Sequence, residues 1–263
     1  MKVDAPSHKL SDLVLSEEMQ VCIGHLLEDL EFSDALADHG LQVRNKILLH
    51  GPPGCGKTSI AHGLAEFLGI KISVVAGSSI NESYRGKSEQ NVAQIFDFAK
   101  SNRVVLLFDE FDSIAATRFW GAEDSASKTD NRVVNEILTG LDRANPLGLI
   151  VACTNSLSEI DPAIQRRFHL IAEVAAPGRQ VLLQIAENVI QGRFGIEASE
   201  ILKVASTPSD VVRAAKDRLR YEVIARAKAA KRKPRELVAE LDQKLELITK
   251  NKKRNSQVGF AGL

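Results

Sequence analysis

The sequence predicts an α/β protein: a parallel five-stranded sheet with helices on both faces, followed by a small all-helical domain that we call the lid. Short runs that are apolar throughout alternate with segments of helical periodicity, as is typical of parallel strands covered on both sides. After residue 177 the alternation ends and only helical periodicity follows. Length and composition agree, because 263 residues with 44% hydrophobic and 26% charged side chains suit a globular core with one modest second module.

Each element follows from a local pattern. The predicted strands are residues 46–50, 71–76, 104–108, 147–153 and 171–174. The predicted helices are residues 16–36, 58–68, 92–99, 133–141, 179–191 and 208–230, with one more marked by Leu237, Leu241, Leu245 and Ile248. Thr207 and Pro208 supply an N-cap and a proline for the first helical position. The chain thus divides into a lead-in region (1–45), an α/β domain (46–176), the lid (177–235) and a C-terminal helix with a basic tail (236–263).

The charged residues balance overall but not locally. Lys plus Arg and Asp plus Glu both total 34, so net charge gives no general attraction to nucleic acid or to an anionic membrane. Residues 226–254, however, hold eleven basic and four acidic side chains. This segment keeps a nucleic-acid partner open as an alternative, although a solvated helix face with a loose tail is the commoner meaning of such a run.

Cysteine usage and hydropathy predict a cytoplasmic protein without membrane association. The three cysteines are far apart and form no CxxC pair, which argues against disulfides and a zinc site; they are Cys22, Cys55 and Cys153. No stretch reaches the ~18 apolar residues of a spanning helix, and residues 1–10 have no apolar signal region.

Residues 51–58 read GPPGCGKT and lie between a predicted strand and a predicted helix, where a phosphate-binding loop must lie. Glycines let successive backbone N–H groups surround phosphates, while Lys57 reaches the terminal phosphates and Thr58 ligates magnesium. The pattern therefore predicts ATP and Mg²⁺ as cofactors. The expected nucleotide-binding residues of this loop are Pro53, Gly54, Cys55, Gly56, Lys57, Thr58 and Ser59.

Carboxylates follow the third predicted strand, at the sheet edge where ligands bind in parallel sheets. Asp109 is expected to hold magnesium, directly or through water, and to contact the nucleotide site. Glu110 is expected to act as the general base toward the attacking water. Asp112 is interpreted as a helix-capping residue.

Two further groups complete the expected chemistry. Asn155 follows the fourth strand and could hydrogen-bond the γ-phosphate or its water. Arg166 and Arg167 precede the last strand, and arginine suits transition-state phosphate charge because its planar fork pairs two oxygens at once.

Taken in order, GPPGCGKT, VVLLFDEFD, CTN and DPAIQRRF resemble the ATPase module of the AAA family over roughly residues 10–231. The resemblance implies a ring, usually hexameric, that hydrolyses ATP between subunits. Asn155 resembles its polar sensor residue, and Arg166 and Arg167 resemble arginine fingers that reach a neighbour's γ-phosphate. Asp12 and Leu13 stand where the family's lead-in segment brackets the adenine. The stretches HGLQVRNKILLHGPPG and TPSDVVRAAKDRL look closer to stand-alone bacterial members than to the large eukaryotic unfoldases.

Tyr84 and Arg85 resemble the family's first pore loop, in which an aromatic residue grips polypeptide in the central channel, although an ordinary exposed loop is the alternative. Residues 119–121 fall where a second pore loop would lie. The sequence departs from the family at Cys55, where Thr is usual and where a thiol adds a possible oxidation site. It departs again at residues 208–210, where a Gly is usual.

The predicted function is an ATP-hydrolysing ring that remodels, unfolds or regulates an unidentified protein. Two alternatives stay open: a motor or loader that acts on nucleic acid, and an ATP-gated scaffold that regulates a partner without threading it. A signalling GTPase is disfavoured because no NKxD-type guanine-reading segment follows the acidic strand.

Overall fold

The computed structural model describes residues 2–77, 88–115, 125–144 and 148–231. Five strands form one parallel sheet in the order β2-β3-β4-β1-β5, which confirms the predicted fold class. The strands are β1 (Lys46–His50), β2 (Lys71–Ala76), β3 (Val104–Asp109), β4 (Leu149–Thr154) and β5 (Leu170–Glu173). β4 lies between β3 and β1 and is buried along its whole length.

Helices connect the strands and form the lid. The helices that accompany the sheet are α1 (Glu17–Glu31), α2 (Ser33–Asp38), α3 (Lys57–Phe67), α4 (Ser88–Ser101), α5 (Asp112–Ala115), α6 (Ser125–Arg143) and α7 (Pro162–Gln165). Those of the lid are α8 (Arg179–Ile190), α9 (Ala198–Ile201) and α10 (Pro208–Lys231). The Thr207 hydroxyl accepts from the Asp210 N–H at 3.2 Å, so the predicted cap of α10 is present.

Each face of the sheet has its own apolar core. On one side α4 and α6 pack on the sheet, and three phenylalanine rings, Phe96, Phe108 and Phe111, lie in contact with centroids 5.6 Å apart in each adjacent pair. On the other side α1 and α3 cover Ile47, Leu49 and their neighbours. The lid has a third core of its own, built from apolar side chains of α8, α9 and α10. Burial on both faces explains why the inner strands β3 and β4 are almost entirely apolar.

Hydrogen bonds order the lead-in region internally and hold it against the sheet domain. The Arg44 guanidinium donates to both carboxylate oxygens of Asp29 at 2.7 and 2.8 Å, which joins α1 to the approach to β1. These hydrogen bonds hold the pKa of Asp29 below its usual range. Asp4 and Ile72 exchange backbone hydrogen bonds, so the chain before α1 pairs antiparallel with the edge strand β2.

The structure differs from the sequence predictions mainly at element ends. The single helix predicted over residues 16–36 is two helices, because the backbone of Phe32, at φ −98° and ψ 26°, leaves the helical region. The helices predicted over 92–99 and 133–141 extend to Ser88–Ser101 and Ser125–Arg143. The predicted C-terminal helix and basic tail lie outside the described residues.

Two helical glycines in different surroundings test the packing of the sheet domain. A Cβ at Gly24 of α1 would meet no atom within 4 Å, whereas one at Gly140 of α6 would overlap the Phe96 ring. Gly24→Ala should therefore stabilise the protein by about 0.5–1 kcal/mol through helix propensity. Gly140→Ala has the same propensity gain but should destabilise by about 1–3 kcal/mol through overpacking. Urea unfolding of both variants measures the difference, and equal stabilisation would show that α6 does not pack tightly on Phe96.

Candidate functional site: a phosphate-binding cleft

The loop between β1 and α3 has the backbone of an anion cradle. Gly54 and Gly56 have φ of 77° and 102°, conformations that L side chains rarely adopt. A Cβ at Gly56 would meet no atom within 4 Å, so the space beside it is open to a ligand. Gly51 is required for a different reason, since a Cβ there would overlap the Val174 carbonyl of the chain leaving β5.

Lys57 opens α3 and has its ammonium group fully engaged. Its Nζ donates to the carbonyl oxygens of Gly51 and Pro52 at 2.6 and 2.9 Å and to Asn155 Oδ1 at 3.0 Å. The side chain is only 8% exposed, and this burial lowers the pKa of Lys57 from its ordinary value. The predicted phosphate-binding lysine and the predicted sensor residue are therefore in direct contact.

Thr58 and Asp109 meet at the expected magnesium position. The Thr58 hydroxyl lies 3.2 Å from each carboxylate oxygen of Asp109, which ends β3. A hydroxyl and a carboxylate are hard oxygen donors of the kind that Mg²⁺ accepts in nucleotide sites, where substrate phosphates supply further ligands. The donor set fits the ion. Among the described residues no group of three or more His, Cys, Asp or Glu side chains suggests another metal site.

Glu110 lies in a strained turn directly after β3. Its φ is +53°, a conformation uncommon outside glycine, and its carbonyl accepts from both the N–H and the hydroxyl of Ser113 at 3.0 and 2.8 Å. The carboxylate is exposed and lines the cleft. A Cβ at Gly77, which follows β2, would overlap Ser113 Oγ, so this turn packs directly against the end of β2.

The end of β4 is fixed by the acidic segment that follows β3. Phe111 N–H donates to the Cys153 carbonyl at 2.8 Å, and Asp112 Oδ1 accepts from the Thr154 hydroxyl at 2.9 Å and from Asn155 N–H at 3.3 Å. The interpretation of Asp112 as a capping residue missed these contacts. Residues 112 and 154 are remote in sequence. The one sequence signal for the contact is the position of Asp112 three residues after Asp109, at the end of a buried strand.

The phosphate-binding loop and the ends of β3 and β4 line one cleft of about 270 Å³. Seven of the ten predicted nucleotide-binding residues line it: Pro53, Gly54, Gly56, Lys57, Thr58, Ser59 and Asp109. Glu110 and Asn155 line it as well. Further lining residues that the sequence analysis did not assign are Cys153, Thr154 and Ser209.

Ser209 brings the lid to the phosphate-binding loop. Its N–H and its hydroxyl both donate to the Gly54 carbonyl, at 3.1 and 3.0 Å. Thr207 packs so closely that a Cβ at Gly54 would lie 3.1 Å from its hydroxyl oxygen. The segment 208–210, where the sequence departs from the AAA pattern, thus contacts the cleft from the lid side.

The two adjacent arginines have different surroundings. Arg167 donates through Nε and one terminal nitrogen to Asp142 at 3.0 and 3.2 Å, and through the other to the Ala163 carbonyl at 2.8 Å. Arg166 is the C-cap directly after α7, and its side chain is exposed. Neither lines the cleft of its own chain among the residues described there.

The other predicted site residues fall in three places. Leu13 packs with the core beside α3, and Asp12 is exposed in a 3₁₀ turn that packs on α3, but neither lines the cleft. Cys55 is half-buried, and burial raises the pKa of its thiol, which works against oxidation through the thiolate. Tyr84, Arg85 and residues 119–121 lie outside the described residues.

Comparison with known proteins agrees with this geometry. Residues 47–176 match the family described as "ATPase family associated with various cellular activities (AAA)". The chain is 40% identical over 165 residues to the "Uncharacterized AAA family ATPase y4kL" of Sinorhizobium fredii, an alignment covering 62% of this chain and 48% of that protein. It is 35% identical over 205 residues to "Peroxisomal ATPase pex1" of Schizosaccharomyces pombe, covering 76% of this chain and 21% of that protein. It is 37% identical over 154 residues to "Protein CdcH" of Halobacterium salinarum, an alignment covering 56% of this chain and 20% of that protein.

The chain therefore spans about half of the first of these relatives and about a fifth of the other two. In the described part of the chain, none of the helices has the length and apolar character needed to cross a membrane. The match over residues 47–176 covers nearly the whole sheet, the phosphate-binding loop and every residue that lines the cleft except Ser209. The chain belongs to the AAA family of ATPases.

Proposed function

We propose that this chain hydrolyses ATP in a homo-oligomeric ring, hexameric as is usual in the family, and uses the cycle to remodel a protein partner in the cytoplasm. The observation that carries the proposal is the convergence of Lys57, Asp109 and Asn155 at one sheet edge beside an open glycine cradle. The proposed functional units are the α/β domain at 46–176, which supplies this edge, and the lid at 177–235, which contacts it through Ser209.

The proposed binding step is an exchange of hydrogen-bond partners. Lys57 is held by two loop carbonyls and Asn155, and a triphosphate offers its ammonium group stronger, charged acceptors. Thr58 and Asp109 would hold Mg²⁺, which when bound neutralises phosphate charge. On the lead-in side, Asp12 and Leu13 are proposed to approach the adenine.

The proposed chemical step is attack of water on the γ-phosphorus. Glu110 takes the proton as the water oxygen bonds to phosphorus and the bond to the β,γ-bridging oxygen breaks. The strained turn at Glu110 supports this role, because such conformations cluster at functional sites. Asn155 would donate to the γ-phosphate or the attacking water through its amide N–H groups.

A ring is supported by the charge of the cleft. Lys57 is the one cation among the described residues that line it, while the phosphates and two carboxylates, Asp109 and Glu110, bring negative charge. A second cation from a neighbouring subunit would stabilise the charge that develops in the transition state. We propose Arg166 and Arg167 for this role; Arg166 is exposed, and Arg167 would exchange Asp142 for phosphate.

The protein partner is proposed from the resemblance of residues 83–86 to a pore loop. The contact between Gly77 and the turn at Glu110 supports a link, because the chain that carries Tyr84 begins next to the catalytic turn. No observation on the described residues favours the nucleic-acid alternative, since the basic segment lies mostly outside them. The Tyr84 experiment below distinguishes the scaffold alternative from remodelling of a protein partner.

Glu110→Gln should leave ATP binding intact and reduce turnover by about 10²-fold or more, because the water loses its base while the phosphate cradle stays. Steady-state hydrolysis and nucleotide titration measure the two effects. Lys57→Ala is the matched control and should lose binding itself. Hydrolysis by Glu110→Gln at the wild-type rate would contradict the catalytic assignment.

Arg166→Ala and Arg167→Ala subunits should each bind ATP and fail to hydrolyse it, because the missing guanidinium serves the next subunit. Mixing either with Lys57→Ala subunits should restore part of the activity, since an intact cleft can then meet an intact arginine. Thermal unfolding distinguishes the two variants. Arg167→Ala should lower Tm and Arg166→Ala should not, because it is Arg167 that contacts Asp142 and Ala163. Mixed rings that form and remain inactive would count against action across the interface.

Tyr84→Ala should keep most ATP hydrolysis and ring assembly yet abolish ATP-dependent remodelling of a co-purified partner. Arg85→Glu is the control within the same segment and should weaken an acidic partner in a salt-dependent manner that Tyr84→Ala does not reproduce. Normal remodelling by Tyr84→Ala would favour the ATP-gated scaffold instead.

A further inference from the structure

We infer that Asp112 is a positioning residue for ATP hydrolysis: it holds the end of β4 so that the Asn155 amide faces the γ-phosphate position. The inference rests on the proposed role of Asn155. Asp112 does not itself line the cleft among the residues described there, so it acts through the residue that does.

The geometry joins Asp112 to both residues at the end of β4. One carboxylate oxygen, Oδ1, accepts from the Thr154 hydroxyl at 2.9 Å and from the backbone N–H of Asn155 at 3.3 Å. Thr154 is 1% exposed, so its hydroxyl needs an internal acceptor, and Asp112 Oδ1 at 2.9 Å is nearer and more strongly charged than the Ser156 carbonyl at 3.1 Å. The same hydroxyl accepts from Ser156 N–H at 3.1 Å, which continues the network past the sensor residue.

The side chain of Asn155 then has one consistent orientation. Lysine offers only donors, so the atom 3.0 Å from Lys57 Nζ must be the amide oxygen. The other branch of the amide is consequently the nitrogen, and no hydrogen bond from it to a described residue is present, so its N–H groups can serve phosphate or water. The Asp112 carboxylate fixes the backbone from which this side chain projects, and the hydrogen bond from Lys57 holds the amide itself.

The turn at Glu110 makes Asp112 a rigid anchor. Residue 112 opens α5, and the two residues before it are fixed by hydrogen bonds from Ser113 to the Glu110 carbonyl and from Phe111 N–H to the Cys153 carbonyl. The proposed base and the proposed sensor are thereby held at a defined separation by one short segment. Misplacing one of two reacting groups by about 1 Å costs on the order of 10²-fold in rate.

The test compares Asp112→Ala, Asp112→Asn, Asn155→Ala and the double Asp112→Ala/Asn155→Ala variant in the full-length chain, with Asp97→Ala as a control at an exposed carboxylate of α4. Asp112→Ala should lower kcat by about 10- to 100-fold while the Kd for ATP changes by less than about threefold. Asp112→Asn keeps an acceptor oxygen and should recover most of the rate. Asp97→Ala should behave as wild type.

The double variant distinguishes positioning from an independent effect. If Asp112 works through Asn155, the double variant should hydrolyse ATP no more slowly than Asn155→Ala alone. If the losses of kcat in the two single variants multiply in the double variant, the inference is wrong. It is also wrong if Asp112→Ala has a normal kcat while Asn155→Ala is impaired. Normal hydrolysis by Asn155→Ala would instead refute the proposed role of Asn155, and the inference with it.

Thr154→Val covers the case in which Asp112→Ala does not fold. It removes the hydroxyl that donates to Asp112 at nearly constant volume, and Thr154→Ser restores it. Thr154→Val should lower kcat in the same direction, with Thr154→Ser close to wild type, and ATP binding by each variant reports that the cleft has formed. Equal kcat for Thr154→Val and Thr154→Ser would contradict the inference.

Discussion

The pairing of β4 with β3 on one side and β1 on the other is the constraint on which the site depends. The register aligns His50 with Thr154, and in the neighbouring pair Phe108 with Ala152, so the three strands end at the same level. β3 and β4 are apolar up to their last residues, Asp109 and Thr154, so apolar burial holds the polar edge in place. Lys57, Asp109 and Asn155 become neighbours for this reason, although they come from three distant parts of the chain.

The sequence predicted most of the cleft because each of its main motifs is local. A glycine-rich loop after an apolar run, and carboxylates after another, can be recognised without knowing what lies beside them. Contacts between elements have no such signature. The bonds of Asp112 to Thr154, of Arg167 to Asp142 and of Ser209 to Gly54 join residues 25 to 155 positions apart. The break at Phe32 was missed for a related reason, since apolar spacing continues through it.

The described site residues fall into two groups by their hydrogen bonding. Lys57 and Thr58 have intrachain partners, as partly or fully buried polar groups require, so a ligand must compete with bonds that already exist. The side chains of Glu110 and Arg166 are exposed. The first group thus offers a preorganised surface for the proposed ligand, and the second has the freedom that its proposed contacts with water or a neighbouring subunit demand.

The pairing of Asp4 with Ile72 has a consequence for the behaviour of the protein in concentrated solution. β2 is an outer strand, and an outer strand with free N–H and C=O groups is a template for association between copies. The two backbone hydrogen bonds between these residues, and the bond from the Ser73 hydroxyl to the Lys2 carbonyl, occupy part of that edge. The first few residues therefore act as a protective strand, and a fusion or cleavage that displaces them would leave the sheet open to aggregation.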